Sequence, residues 1–405
     1  ILADEPTGNL DSVTAAQIRK SLNRPDIVAK AIQLASAKEA VQQSPGTNFK
    51  LSDLLKRPVP RFHIVSPAAG ATLTGGSAQL ELDLASTPDP VKAIRIQVNG
   101  RQIAEHLPQK GGGFAPGTLK FPVALTKGRN VIRVVAVNDT GETPRDVIVT
   151  HQGNGALDKD GTLYILAIGV DKYPKLGKAC RKPDGSPKSC DLNVAGADAK
   201  IFANTMEARL SPQHKHVVKR VLVNGASPED VPTQANILDA LGLLRKAQPN
   251  DTVMMFVAGH GVTEGLNYNF LTTEAAFSDK VLRYSTIVPW ANFQLAIEAA
   301  KGRRILFLDT CYSGNSYNQR LTNDAYQANI VVYAAARWDQ QALEQYNIGH
   351  GLFTYAVVEG MKGKAKNKAG EIRTESLRNY VRERVVALAS KMSRVQEPQY
   401  FRGRD

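Results

Sequence analysis

At 405 residues, 42% hydrophobic and 22% charged, the chain has room for two or three domains with their own cores and the composition of an ordinary globular protein. No apolar run approaches the roughly 20 residues a helix needs to span a bilayer, so a membrane role is not expected. The net charge of +13 raises nucleic acid or acidic partners as a question. The 12 basic and 6 acidic side chains from Gly351 to Asp405, however, fall in a loop, KGKAKNK, and along a polar helix face without interleaved aromatics. A solvated surface accounts for them, and nucleic acid is not expected.

The chain opens ILADEPTGNLDS, where an apolar run ending in Asp4-Glu5 resembles the Walker B segment of an ABC-transporter ATPase. No G-x-x-x-x-G-K-[ST] phosphate cradle follows or precedes it. LTGGSAQ, at 73–79, resembles the signature loop of that family but stands after the Walker B-like stretch, where the family places it before. Nucleotide hydrolysis is therefore not expected. The start offers neither a basic n-region nor an apolar h-region of a secretory signal. NRPDIVAKAIQLASAKEAVQQ supplies a capping Asn, a first-turn Pro and apolar residues at helical spacing before SPGTN breaks the pattern. Residues 1–57 thus read as a short helical lead-in.

From 58 to 155 short alternating runs (RFHIVSP, AQLELDL, AIRIQVNGRQI, TLKFPVAL, NVIRVVAVN, DVIVTHQ) alternate with Gly/Pro/Asp-rich turns, which predicts an all-β sandwich of the immunoglobulin-like kind. It carries no Cys–Trp–Cys hallmark and nothing catalytic, so an interaction or spacer module is the expectation. From 156 to 405 strands alternate with helices. TLYILAIGVDKY, VVKRVLVNG, DTVMMFVAGHG, RRILFLDTCYSG and ANIVVYAAA are near-continuous apolar runs, separated by helices such as VAGADAKIFANTMEARL and followed by LFTYAVVEGM and TESLRNYVRERVVALASKM. This predicts an α/β domain whose mostly parallel sheet is flanked by helices on both faces. Cys180, Cys190 and Cys311 make an odd count; Cys180 and Cys190 flank a Pro/Gly/Lys loop and can be drawn as a pair, but two free loop thiols in a reducing cytoplasm is the favoured reading.

Two strand tips stand out. FVAGHG delivers His260 between two glycines and LDTCYSG delivers Cys311 two residues past Asp309. In open α/β sheets the active crevice lies at the carboxyl ends of the strands, where the two would make a thiol–imidazole pair. Cysteine attacks as the thiolate, and a nearby histidine lowers its pKa and protonates the leaving group.

FVAGHG and LDTCYSG, 51 residues apart, resemble the histidine and cysteine blocks of the caspase and metacaspase superfamily of cysteine peptidases. YILAIGVDKY resembles the family's first strand, AGADAKIFANTM its first helix, VVYAAARWDQQALE the strand after the cysteine, and HGLFTYAVVEGM its late helix. The likeness runs from about Thr162 to Arg402. It implies Cys311 as nucleophile, His260 as acid/base, and the backbone N–H groups of Gly261 and Cys311 as oxyanion hole. It further implies Asp309 and Asp198 as walls of an S1 pocket for Arg or Lys, although Asp198 reads equally as a first-turn helix carboxylate. The family's cysteine before that aspartate is Ala195 here, and Tyr312 follows the nucleophile. Acidic residues downstream of Cys311 are sparse (Asp324, Asp339, Glu344), so the calcium activation of metacaspases finds no support; no cofactor or metal is expected. Substrates would be proteins or peptides, with the sandwich as a docking place for a sensor or regulatory protein. Prokaryotic relatives of this kind often serve defence or cell-death pathways. If the enzyme processes itself, the cut is expected after Arg320; the slightly favoured reading is a loop that covers the cleft and stays uncut. The alternative function is a catalytically silent caspase-fold scaffold.

Overall fold

The computed structural model describes residues 58–402, apart from 76, 109–111, 154, 159–160, 178–179, 182–185, 265–266, 279–280, 311–329, 338–339, 341 and 346. The lead-in read over 1–57 therefore lies outside the described residues. The chain divides into two compact units between Asp158 and Lys159.

Among the described residues the first unit holds eight strands: β1 (Phe62–Ser66), β2 (Thr72–Leu73), β3 (Ser77–Leu84), β4 (Ala93–Val98), β5 (Arg101–His106), β6 (Gly117–Ala124), β7 (Gly128–Val137) and β8 (Glu142–His151). They form one sheet of order β1-β3-β6 and a second of order β2-β8-β7-β4-β5. Inward residues of both, among them Leu80, Leu82 and Val123 from one and Ile96, Ile132 and Val134 from the other, share a single core, so the unit is a β-sandwich. The alternation SAQLELDL buries every second residue of β3, the period-2 signal that predicted it. AIRIQVNGRQI, read as one strand, is instead a hairpin. Val98 pairs with Arg101 across Asn99-Gly100, which adopt φ of 49° and 79°, the conformation that lets Asn-Gly turn two twisted strands back on each other.

The second unit begins with β9 (Thr162–Gly169), a small hairpin of β10 (Cys180–Arg181) and β11 (Pro187–Lys188), helix α1 (Ala195–Leu210), β12 (His216–Val223), α2 (Gln234–Leu244) and β13 (Thr252–Gly259). There follow β14 (Gly261–Glu264), β15 (Asn267–Leu271), the pair β16 (Phe277–Ser278) and β17 (Val281–Leu282), β18 (Ile287–Pro289), α3 (Trp290–Ala299), β19 (Arg303–Thr310) and β20 (Val331–Ala334). The last elements are the pair β21 (Glu344–Gln345) and β22 (His350–Gly351), α4 (Leu352–Glu359), α5 (Thr374–Lys391) and β23 (Gln399–Phe401). The central sheet has order β12-β9-β13-β19-β20-β23, parallel throughout except for the antiparallel edge strand β23. Helices α2 and α3 pack on one face through Ile237, Leu241, Phe293 and Ile297. On the other face α1, α4 and α5 pack through Phe202, Met206, Phe353, Val381 and Val385. β13 is buried at every position, as a central strand covered on both faces must be. No helix among the described residues is long and apolar enough to cross a membrane.

Two features depart from the expectation. The residues after His260 build a separate antiparallel sheet, β14-β15-β18, rather than passing directly to a helix. Cys180 and Cys190, read as free thiols, are joined in a disulfide. The β10–β11 hairpin turns the chain back on itself, and the two Cα atoms come to 5.2 Å, inside the range a disulfide bridges. The cysteine count therefore no longer argues for a reducing compartment.

Candidate active site

The chain leaves β9 to one side for β12 and returns on its other side for β13, so the sheet order reverses between β9 and β13. In open α/β sheets that reversal opens a crevice at the strands' carboxyl ends. The segments that follow β9 and β13 and the end of β19 meet there.

His260 stands one residue past β13. Its backbone N–H donates to the Tyr173 hydroxyl at 2.8 Å, and the Tyr173 ring lies against the imidazole with centroids 4.9 Å apart. His260 Nε2 lies 2.7 Å from the Cys190 carbonyl oxygen. A carbonyl can only accept, so Nε2 carries the proton and Nδ1 of the neutral ring keeps a lone pair. Burial holds the imidazole pKa below its ordinary value, against the upward pull of that carbonyl. Tyr173 is fixed in turn: its N–H donates to Asp191 Oδ1 at 2.9 Å, and that bond, with Lys172, keeps the Asp191 carboxyl below its usual range. The glycines flanking His260 are demanded by crowding. Gly259 has φ of 150°, and a Cβ on Gly261, the first residue of β14, would stand 2.0 Å from the Tyr268 hydroxyl oxygen.

Thr310, the last residue of β19, pairs in register with Gly259. Cys311 is the next residue and lies outside the described residues, as do Tyr312 and Arg320. Asp309 is described. Its Oδ2 accepts from the Thr354 hydroxyl at 2.6 Å. Asp198, in the first turn of α1, is 2% exposed and does not serve its own helix end. Its carboxylate accepts from His350 Nδ1 at 2.6 Å and from the Gly351 N–H at 3.0 Å. The two carboxylates close on the same point: a Cβ on Gly351 would lie 3.0 Å from Asp198 Oδ2 and 3.2 Å from Asp309 Oδ2. With Glu344, Ala258 and Leu192 they line a small cavity of about 40 Å³. Burial, then repulsion from Asp198, raises the Asp309 pKa to about 7. Burial raises Asp198 to about 6, with His350 and the Gly351 N–H pulling the other way.

Asp198 and Asp309 are thus brought together, with His260 on the neighbouring strand end. Sequence reading missed Tyr173, Cys190, His350 and Thr354. The NIGHGLFTY stretch placed a histidine beside the α4 start, but only the fold shows that it meets Asp198. Asp324 and Asp339 lie outside the described residues. Among those described, no group of three or more His, Cys, Asp or Glu side chains could hold a metal ion.

A mostly parallel sheet sheathed by helices, with a glycine-flanked histidine past β13 and Asp309-Thr310 closing β19, fits a fold of the caspase type. The chain belongs to that family: the model described as "Caspase domain" matches residues 164–404. No curated protein matches. Among solved structures, an engineered protein is 18% identical over 23% of this chain and 20% of its own, with a TM-score of 0.19. Fibronectin(III)-like modules of Clostridium thermocellum CbhA are 15% identical over 23% of this chain and 100% of theirs, also at 0.19. An endo-beta-1,4-mannanase from Thermotoga petrophila is 7% identical over 24% of this chain and 20% of its own, at 0.19. The chain thus spans about a fifth of the first and third of these, and none carries the argument.

Proposed function

We propose that this chain is a cysteine endopeptidase that cleaves protein substrates after Arg or Lys, with Cys311 as nucleophile and His260 as acid/base. The observation that carries the reading is the convergence of Asp198 and Asp309 on one small cavity beside His260. Two buried carboxylates with only the His350 imidazole against one of them are costly, in line with their raised pKa values; a guanidinium or ammonium between them relieves that cost and gains charge-assisted hydrogen bonds. An aspartyl side chain adds a third negative charge and is rejected.

In this scheme His260 Nδ1 takes the Cys311 proton while Nε2–H stays on the Cys190 carbonyl, which fixes the ring and its tautomer. The thiolate adds to the scissile carbonyl, and backbone N–H groups of Gly261 and Cys311 receive the oxyanion. His260 passes the proton to the leaving amine as the C–N bond breaks. Water, deprotonated by His260, then hydrolyses the thioester and frees the thiol. The sandwich is the docking place for a regulatory protein, and any self-cleavage falls at the Arg320–Leu321 bond. The test is a panel of arginyl, lysyl and aspartyl peptides with wild type, Cys311→Ala and Asp309→Asn. Preference for the basic peptides, lost in both variants, supports the assignment; turnover by Cys311→Ala near wild type overturns it.

A further inference from the structure

At the opposite end of the sheet the strands begin side by side, with Thr252 paired to Arg303 and Met254 to Ile305. Successive residues of β19 face opposite ways. Leu306 and Leu308 enter the core under α2 and α3, whereas Ile305 and Phe307 enter the core under α1, α4 and α5. Arg303 shares parity with Ile305 and Phe307. That face holds a second cavity of about 690 Å³, with Met206, Met254, Phe307 and Met361 among its walls.

The same walls carry Arg209, Arg303 and Lys366. Among the described residues no carboxylate pairs with any of the three. The two acidic residues that line the cavity are already engaged: Glu371 accepts from Arg373 at 2.8 Å, and Glu375 pairs with Arg402. The nearby Asp251 carboxylate accepts the backbone N–H groups of Thr162 and Gln248, each at 2.7 Å. Arg303, like Arg209 and Lys366, is exposed along the cavity's rim, and the protein around it lowers its pKa by desolvation with no compensating carboxylate. A cationic wall over an apolar floor complements a ligand with a negative head and an apolar body.

We propose that this cavity binds a small organic anion, a carboxylate or phosphate carried on an apolar body, with Arg303 as its principal anchor. Asp309 lies six residue steps along β19 from Arg303, about 20 Å at the rise of a strand, so the site is distinct from the candidate active site.

The probes are decanoate, decanol and decyl phosphate, titrated calorimetrically into the full chain. Decanoate or decyl phosphate is expected to bind with a stoichiometry of one, and the stronger of the two identifies the head group. Arg303→Gln is expected to weaken binding roughly 10- to 100-fold, the range for losing a hydrogen bond to a charged group. Its kcat/KM on an arginyl peptide is expected to stay unchanged. The pair Arg209→Gln with Lys366→Gln, exposed like Arg303, is measured alongside and is expected to weaken the same ligand. Absence of saturable binding of either anion overturns the proposal, as does decanol binding as tightly as decanoate, or equal affinity in wild type and all folded variants.

Discussion

Asp309→Asn removes one charge from the paired carboxylates while keeping the side chain's shape and an oxygen for the Thr354 hydroxyl. The folded-state pKa of Asp309 is about 7 against an ordinary 3.8. Between those values the folded chain holds a proton that the unfolded chain has lost, so stability falls as pH rises through the window. At roughly 1.4 kcal/mol per pH unit the ionised carboxylate costs the fold on the order of 4 kcal/mol above pH 7. Asp309→Asn is therefore expected to be more stable than wild type at pH 8 by about 2–4 kcal/mol, and to lose that advantage as pH is lowered towards 4. The same substitution is expected to lower kcat/KM on an arginyl peptide by at least about 30-fold, since removing one partner of a buried charge pair costs 2 kcal/mol or more. Urea unfolding at pH 4, 6 and 8, with peptide hydrolysis at pH 8, reads both. A variant less stable than wild type at pH 8, or one with unchanged kcat/KM, would refute the model of two carboxylates waiting for a cation.

Cys311→Ala and His260→Ala are each expected to abolish peptide hydrolysis, and the double variant to lose no more than either, because nucleophile and base act as a unit; additive losses in single-turnover rates count against the pairing. Tyr173→Phe deletes the hydroxyl that holds the His260 N–H and is expected to lower kcat roughly tenfold with KM unchanged; an unaltered kcat means that the hydroxyl does not position the histidine. Replacing Cys180 and Cys190 together by Ser leaves the Cys190 carbonyl on an untethered loop and is expected to lower kcat roughly 2- to 10-fold at constant KM; equal kcat in oxidised wild type and the double variant removes the cross-link from the mechanism. Active wild type incubated alone is expected to show a new amino terminus at Leu321 by mass spectrometry, absent from Cys311→Ala and Arg320→Ala; an intact chain that still hydrolyses arginyl peptides shows that no cut there is needed.

Much of this architecture was legible because local pattern and tertiary role agree. β13 is buried at all eight positions and reads as a continuous apolar run; β3 is buried at alternate positions and reads as alternation. His260 and Asp309 were legible because strand ends of an α/β sheet are where side chains reach a crevice. What escaped was long-range. The Tyr173–His260 bond joins residues 87 apart in sequence, and the His350–Asp198 bond joins residues 152 apart. No spacing rule reaches such distances. The disulfide escaped for a different reason: the nine residues RKPDGSPKS between the two cysteines carry no periodicity, so nothing announced the β10–β11 pairing that draws them together. β23 escaped because QYF is too short a run to read as a strand until β20 is there to pair with it.

The segment between β9 and α1 binds the two halves of the site into one device. Within it, Cys190 offers its carbonyl to His260, Asp191 holds Tyr173, and Asp198 follows one helical turn into α1. The elements that hold His260 and one wall of the two-carboxylate cavity therefore share a continuous stretch of backbone, cross-linked at Cys180–Cys190. Asp309 and Thr354, by contrast, reach the cavity from β19 and α4 and touch no part of that stretch through a bond of their own. The two groups should separate in kinetics. Perturbing Tyr173 or the cross-link acts on the imidazole and appears in kcat, whereas Asp309 meets only the side chain of the bound residue and appears in the ratio between basic and other peptides. Glycine at 351 ties the groups together sterically, because any side chain there would press on both carboxylates at once. A Gly351→Ala chain should consequently lose discrimination and turnover together, which no single change on either side of the cavity would do.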